Sequence, residues 1–334
     1  MTVRFTIVGA GSWGIALACY LARSGESVRL WAHDTSGPAE LARTRRSSYL
    51  PEAILPRSVE VFEDLGAALD GGGRIILAVP SHHVRAVLTA AREAVRASAS
   101  VVVATKGIET GTLRLMTEVA AEVLDLDRSR LAVLSGPSFA KEVVRGDPTA
   151  VVVAASSIEL ARAVQAELSS TTLRLYTSTD TTGVQVAGSL KNVMAIAAGI
   201  LCGMGLGANS LAALLTRGLA EMSRLGMALG GRPETFAGLA GVGDLILTGT
   251  SDLSRNRSVG VELGHGRRPQ EILSGMTMVA EGVRTAESAW DLAVREGVAM
   301  PIVEQVRRVL YDDVSPGAAM TELMTRPLRS EGWT

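Results

Sequence analysis

An aspartate set between glycines and an apolar run, followed closely by Ser254-Arg255-Asn256-Arg257, gives residues 238–260 the means to hold an anion. The acid is Asp244. Arg and Asn present several hydrogen-bond donors in fixed directions, which suits the oxygens of a phosphate dianion. A solvated loop of the same composition would look alike, so the stretch gains meaning only from the residues before it. Gly9-Ala10-Gly11-Ser12-Trp13-Gly14 follows an apolar run and opens a helical pattern. In that setting the glycines serve a tight turn, room for a pyrophosphate and close packing of helix on strand. The helix N-terminus then offers unpaired N–H groups to the phosphates. This spacing predicts a dinucleotide site at Gly9, Gly11, Ser12, Trp13 and Gly14. The Trp13 indole has two places to go, the sheet edge or the cofactor. The second strand ends in Trp31-Ala32-His33-Asp34. An acid there favours the ribose hydroxyls of NAD and a cation the phosphate of NADP, so His33 and Asp34 leave both cofactors open.

Three more clusters carry chemistry. Ala104-Thr105-Lys106-Gly107 and Ser135-Gly136-Pro137-Ser138-Phe139-Ala140-Lys141-Glu142 each follow a predicted strand. Ligands of open α/β sheets bind at such strand ends. Ser189-Leu190-Lys191-Asn192 sets a lone lysine in an otherwise apolar helix. A lysine that exchanges protons at neutral pH must sit well below its ordinary pKa of about 10.4. Apolar surroundings and the cations Lys106 and Arg255 would lower it, while Asp244 would oppose them and orient the ammonium. The plain alternative is a buried Lys191–Asp244 ion pair.

Two kinds of element must position these groups. Residues 3–8, 27–31, 74–79, 100–104, 131–134 and 149–153 read as strands, apolar enough for a parallel sheet buried on both faces. Residues 13–24, 83–97 and 113–124 read as helices between them. The alternation predicts a doubly wound, Rossmann-like α/β domain over 1–185. Beyond it only amphipathic patterns remain, at 182–201, 210–229, 269–273, 285–296 and 302–311. These predict an all-α domain over 186–334.

Bulk properties exclude several classes. The chain has 334 residues, 47% hydrophobic and 20% charged, with a net charge of −1. That balance argues against nucleic-acid binding, and an aromatic share of 4% leaves little for stacking on bases. Two separated cysteines and four histidines form no metal-ligand spacing, so no metal is expected. The cysteines read as small buried hydrophobes in a reducing compartment, and the cytoplasm is the expected location. Residues 193–207 are the one membrane candidate. At roughly 15 residues they fall short of the about 20 needed to span, and a core helix is expected instead.

Taken together, GAGSWGIALA, ATKGIE, SGPSFAKEV, AGSLKNVMAI, NSLAALLTRGLAEM, GLAGVGDLILTGTSDLSRNRSVG and AEGVRTAE resemble the bacterial NAD(P)-dependent sn-glycerol-3-phosphate dehydrogenases. The resemblance runs from Gly9 to about Glu287. It implies a Rossmann-like domain followed by a helical domain of the 6-phosphogluconate dehydrogenase C-terminal type. It implies reversible transfer of hydride between NADH or NADPH and dihydroxyacetone phosphate, giving sn-glycerol 3-phosphate for glycerophospholipid synthesis. Lys191 would be the general acid–base with Asp244 beside it. Arg255 and Asn256 would bind the substrate phosphate with help from Ser254, and Lys106, Gly136 and Ser138 the rest of the substrate. Ser12, Trp13, His33, Lys106, Ala140, Arg255, Val279 and Glu281 would surround the dinucleotide, although Glu281 also reads as a cap of the next helix. Asn209, Thr216, Arg217 and Gly218 read as buttresses.

Members often carry Arg or another polar residue where His33 stands, and a neutral His would grip a 2′-phosphate less firmly, which leaves use of both cofactors open. Many carry cysteine in the middle of Thr248-Gly249-Thr250, a stretch given no chemical role. A homodimer is the family habit. Ketopantoate-type and hydroxyacid reductases share the glycines and a second-domain lysine but lack SRNR after GxGD. A non-catalytic dinucleotide sensor would have no use for Lys191.

Overall fold

The computed structural model describes residues 5–33, 37–70, 73–96, 98–276, 278–328 and 330–331. Asp34 and the ends of the strand predicted from residue 3 and the helix predicted to residue 97 lie outside them. The chain forms two compact units, residues 1–105 with 116–181 and residues 106–115 with 182–334. Sequence order alone put residues 106–115 in the first domain. They belong to the second because Ile108 and Leu115, joined by an isolated β-bridge, are part of the helical unit's core.

The first unit is one sheet with helices. Its strands are β1 (Phe5–Val8), β2 (Val28–Trp31), β3 (Val59–Phe62), β4 (Arg74–Leu77), β5 (Val101–Val103), β6 (Leu131–Ser135), β7 (Thr149–Ala155) and β8 (Leu173–Ser178). The helices are α1 (Ser12–Arg23), α2 (Pro38–Thr44), α3 (Leu65–Leu69), α4 (Val84–Ala91), α5 (Met116–Leu124), α6 (Ala140–Arg145) and α7 (Ile158–Leu168). Spatial order is β3-β2-β1-β4-β5-β6-β7-β8. The order reverses beside β1, the switch point at which doubly wound sheets take their ligand. Phe5, Ile7, Leu30 and Val102 fill one face, and Val8, Leu77, Val101 and Val103 the other.

Two departures from the sequence reading stand out. β7 runs antiparallel to β6, so the sheet is not wholly parallel. β3 and β8 went unread because each carries polar residues: Glu60 in the first, exposed Arg174 and Tyr176 in the second.

The second unit is helical: α8 (Thr181–Gly203), α9 (Ala208–Ala228), α10 (Pro233–Phe236), α11 (Asp244–Thr250), α12 (Arg255–Gly264), α13 (Pro269–Ser274), α14 (Glu281–Arg295), α15 (Pro301–Tyr311) and α16 (Pro316–Met324). α8 has 23 residues, enough to cross a bilayer by length and composition, so the argument from shortness fails. Burial decides its role, because 78% of its most apolar stretch lies inside the protein and it forms the axis of the helical core.

Glycine sets how close α12 comes to α8. Gly199 and Gly203 on α8 face Gly260 and Gly264 on α12, and a Cβ on any of the four would fall far inside contact with a backbone oxygen of the other helix. The Cβ of Gly199, for instance, would also meet Gly260 Cα at 2.8 Å. Because the obstruction is backbone, it cannot rotate away. Gly260→Ala is therefore expected to destabilise the helical unit by about 3 kcal/mol or more, read as an earlier midpoint in denaturant. Gly317→Ala, with open space around it, is the near-neutral control.

Candidate active site

In the first unit the glycine turn has the shape its spacing implies. Gly9 adopts φ +116°, and a Cβ there would lie 2.8 Å from the Ala78 carbonyl oxygen. A Cβ on Gly14 would press into the Gly9 carbonyl, so helix and strand meet through this residue. Gly11 differs, since its Cβ direction is open space. It stands before Ser12 and Trp13, in the first turn of α1, whose N–H groups have no partner within the helix. Strain confined to Gly9 and Gly14, with room kept at Gly11, fits a pyrophosphate lying over the α1 N-terminus.

Trp13 is partly buried and packs against the core of the first unit. His33 is exposed just past β2, its ring 5.5 Å from that of Trp31. After β6, Gly136 takes φ +136° against Val151, and Ser138 Oγ donates to the Gly136 carbonyl at 3.0 Å. Ala140 opens α6.

The second unit gathers the charges. α8 carries Lys191 and α11 carries Asp244, which follows a five-residue π-helical turn, Leu239–Gly243. Such turns re-aim the residues that follow and recur at functional sites. Asp244 is wholly buried and bridges two lysines: Lys191 Nζ donates to Oδ1 at 2.7 Å and Lys106 Nζ to Oδ2 at 2.8 Å. Lys191 Nζ donates a second bond to Thr248 Oγ1 at 2.8 Å. Thr248 spends its own proton on the Asp244 carbonyl at 2.7 Å, so toward Lys191 it can only accept. Two of the three ammonium hydrogens of Lys191 are thus fixed, and the third is left for a ligand.

Burial is the largest influence on Lys191 and lowers its pKa to about 8. Asp244 pulls it back up and Lys106 pushes it down. Burial alone would raise the Asp244 carboxyl, but Lys106 and Lys191 outweigh it and hold the group below the ordinary carboxylate value. The effective cation beside Lys191 is therefore Lys106. Arg255 lies beside Glu281, whose carboxylate opposes the lowering of the Arg255 pKa by desolvation.

At the start of α12 the side chains are partly committed to structure. Buried Ser254 is the N-cap, its Oγ accepting from Arg257 N–H at 3.2 Å. Asn256 Nδ2 donates to Asn192 Oδ1 at 2.9 Å, and its Oδ1 accepts from Gly282 N–H at 2.8 Å. Asn256 thus ties α12 to α8 and α14, and one hydrogen of its amide remains for a ligand. Arg255 is exposed. Val279 is exposed ahead of α14, and Glu281 stands in that helix's first turn, Ala280 being the capping position.

Thr248 and Asn192 were given no role in the sequence. The spacing of Asp244 and Thr248, four apart on one helical face, was the signal that could have found the first. Of the two cysteines, Cys19 is buried as expected, but Cys202 is exposed, with Arg257 Nη2 at 3.3 Å from its sulfur. Among the described residues no group of three or more His, Cys, Asp or Glu could hold a metal ion.

Reduction of a carbonyl by hydride needs a hydride carrier and a proton source; a glycine turn at a helix N-terminus suits a dinucleotide carrier, and Lys191 suits the proton source. Residues 4–161 match the description NAD-dependent glycerol-3-phosphate dehydrogenase N-terminus, and residues 180–321 the corresponding C-terminus. The chain belongs to the NAD-dependent glycerol-3-phosphate dehydrogenase family. It is 51% identical to a glycerol-3-phosphate dehydrogenase (NAD(P)+) of Koribacter versatilis, covering 99% of each chain. The enzyme of that name from Geobacter sulfurreducens is 50% identical over 100% of each. The crystal structure of the glycerol-3-phosphate dehydrogenase from Coxiella burnetii superposes with a TM-score of 0.93 at 40% identity, covering 97% of this chain and 99% of that one. A ketopantoate reductase from Ralstonia eutropha, at 0.61 and 16%, shares the fold alone.

Proposed function

We propose that the chain catalyses reversible reduction of dihydroxyacetone phosphate to sn-glycerol 3-phosphate with NADH or NADPH, and so supplies the backbone of glycerophospholipids. The observation that carries this reading is Lys191: buried, held by Asp244 and Thr248, with one N–H free and a pKa drawn down to about 8. The names of its relatives support the substrate. The bound cofactor supplies or accepts the hydride. In the reducing direction Lys191 holds its ammonium proton at the carbonyl oxygen and delivers it to the forming alkoxide, and in the oxidising direction its free amine takes the hydroxyl proton. Asp244 stays ionised and orients Lys191, while Lys106, on the other oxygen of Asp244, keeps a second positive charge near the developing alkoxide. Arg255 and the remaining amide hydrogen of Asn256 bind the phosphate at the start of α12, where the helix dipole also favours an anion. Gly9, Gly11, Ser12, Trp13 and Gly14 hold the dinucleotide, with His33, Ala140, Val279 and Glu281 around it; Gly136 and Ser138 complete the substrate side.

The direct test is the purified enzyme with dihydroxyacetone phosphate, oxidation of NADH and of NADPH being followed separately. Turnover with at least one is expected, and none with either would overturn the reading. Arg255→Ala is expected chiefly to raise KM for dihydroxyacetone phosphate, by the equivalent of about 2–5 kcal/mol if the bound substrate desolvates the charge pair. An unchanged KM would remove Arg255 from the phosphate site. In this reading the enzyme works in the cytoplasm as a homodimer. Light scattering of the purified enzyme checks the homodimer.

A further inference from the structure

Asn256 has one amide hydrogen left for a ligand, and Gly282 decides where it points. Nothing in the proposed chemistry uses Gly282, which is buried in the first turn of α14. Its N–H donates to Asn256 Oδ1 at 2.8 Å, so the oxygen end of the amide is turned to α14 and Nδ2 to Asn192 Oδ1, at 2.9 Å. A flipped amide would set Nδ2 against the Gly282 N–H, two donors with no acceptor between them. Asn192 could turn over to follow such a flip. A backbone N–H cannot. The contact depends on glycine, because a Cβ on Gly282 would stand 2.6 Å from the backbone oxygen of Asn192 and 2.9 Å from Asn256 Oδ1. The nearer obstacle is main chain of α8 beside Lys191, which has no rotamer to escape into. Tyr311 Oη, at the end of α15, ties down the next residue by donating to the Val283 carbonyl at 3.0 Å.

On the assignment of the substrate phosphate to Arg255 and Asn256, on which this inference rests, we propose that Gly282 is a positioning residue of the phosphate site: its N–H orients the Asn256 amide so that Nδ2 donates to the anion, and its missing side chain lets α14 approach closely enough to do so. A plain helix cap does not account for Asn256. The N-cap residue of α14, Ala280, contributes no side-chain bond, and an aspartate at 256 would satisfy the Gly282 N–H at least as well while complementing the helix dipole. Asparagine is required where the same side chain must also donate, to Asn192 and to a dianion that an aspartate would repel. The residue before Gly282 acts on the other half of the clamp, because the Glu281 carboxylate is the charge that opposes the lowering of the Arg255 pKa. Two consecutive residues of α14 thus act on two consecutive residues of α12.

The experiment compares kcat/KM for dihydroxyacetone phosphate and for dihydroxyacetone, which has the same carbonyl and no phosphate, in the native enzyme, Gly282→Ala, Asn256→Ala and the double variant. Gly282→Ala is expected to lose about tenfold to a hundredfold with the phosphorylated substrate, the size of one hydrogen bond to a charged group, and to stay within about threefold with dihydroxyacetone. In the Asn256→Ala background the same change is expected to cost less than about twofold further, because the side chain through which Gly282 acts is gone. A general distortion of the fold would lower both substrates alike and add in full to Asn256→Ala, and either result would overturn the positioning role. A native enzyme with no preference for the phosphorylated substrate would overturn the phosphate assignment, and the role of Gly282 with it. Should Gly282→Ala not fold, the Gly282 amide resonance of the native enzyme decides, during titration with inorganic phosphate. A shift that saturates together with competitive inhibition by phosphate supports the proposal, and a resonance that stays in place overturns it.

Discussion

Lys191→Met is expected to lower kcat by about a thousandfold or more while dinucleotide affinity stays within a few-fold. Methionine fills a similar volume in the apolar surroundings of α8, and Asp244 keeps Lys106 as its counter-charge, so the loss is confined to the proton donor and its bonds to Asp244 and Thr248. General acid–base groups contribute about 10²–10⁴-fold. Lys191 stands toward the upper end because its ammonium is aligned by two fixed bonds, to Asp244 and Thr248. Steady-state kinetics in both directions with a fluorescence titration of NADH would check this. A variant within tenfold of the native kcat would show that the proton comes from elsewhere. The native enzyme carries a matching signature in its pH profile. The ordinary lysine value of 10.5 is lowered to about 8, so reduction, which needs the ammonium, is expected to fall as pH rises through 8. Oxidation, which needs the free amine, is expected to rise through the same range.

The second large effect is expected at Asp244. Asp244→Asn preserves shape but takes away the buried carboxylate that both Lys106 and Lys191 contact. Removing one partner from a buried ion pair costs about 3–5 kcal/mol. Lys191 recovers part of this by releasing its proton, because the main force holding its pKa up was Asp244. Two measurements should move together: the denaturation midpoint falls, and the limb of the reduction profile that falls near pH 8 shifts to lower pH, so that acidification restores part of the rate. A profile that stays in place with stability unchanged would refute the bridging role. Asp244 has a stability signature of its own. Its carboxyl is held below the ordinary value, so its stabilisation is present above about pH 4 and is lost as pH falls below that.

Much of this was legible because it is local. The glycines at 9, 11 and 14 follow a strand and open a helix, and the steric demands at Gly9 and Gly14 come from neighbours that the βαβ geometry always supplies. The direction of β7 was not legible. Its apolar run suits either orientation, and the connection from β6 through α6 decides which one it takes. β8 hid for another reason: with one face exposed, Arg174 and Tyr176 interrupt the apolar signal.

The sequence by itself determined the class of chemistry. A glycine turn of the spacing that suits a pyrophosphate, a lone lysine in an apolar helix and an Asp–Arg–Asn stretch are each set by residue type and short-range spacing, and local sterics and hydrogen-bonding capacity need nothing more. Only the tertiary structure decided the partnerships. Lys106 joined the helical unit because Ile108 and Leu115 are buried in its core. Thr248 became a partner of Lys191, and the Asn256 amide was largely spent on Asn192 and Gly282. Burial and charge proximity are sums over groups distant in the chain, so the pKa of Lys191 and the bridging of Asp244 came into being only when the helices packed.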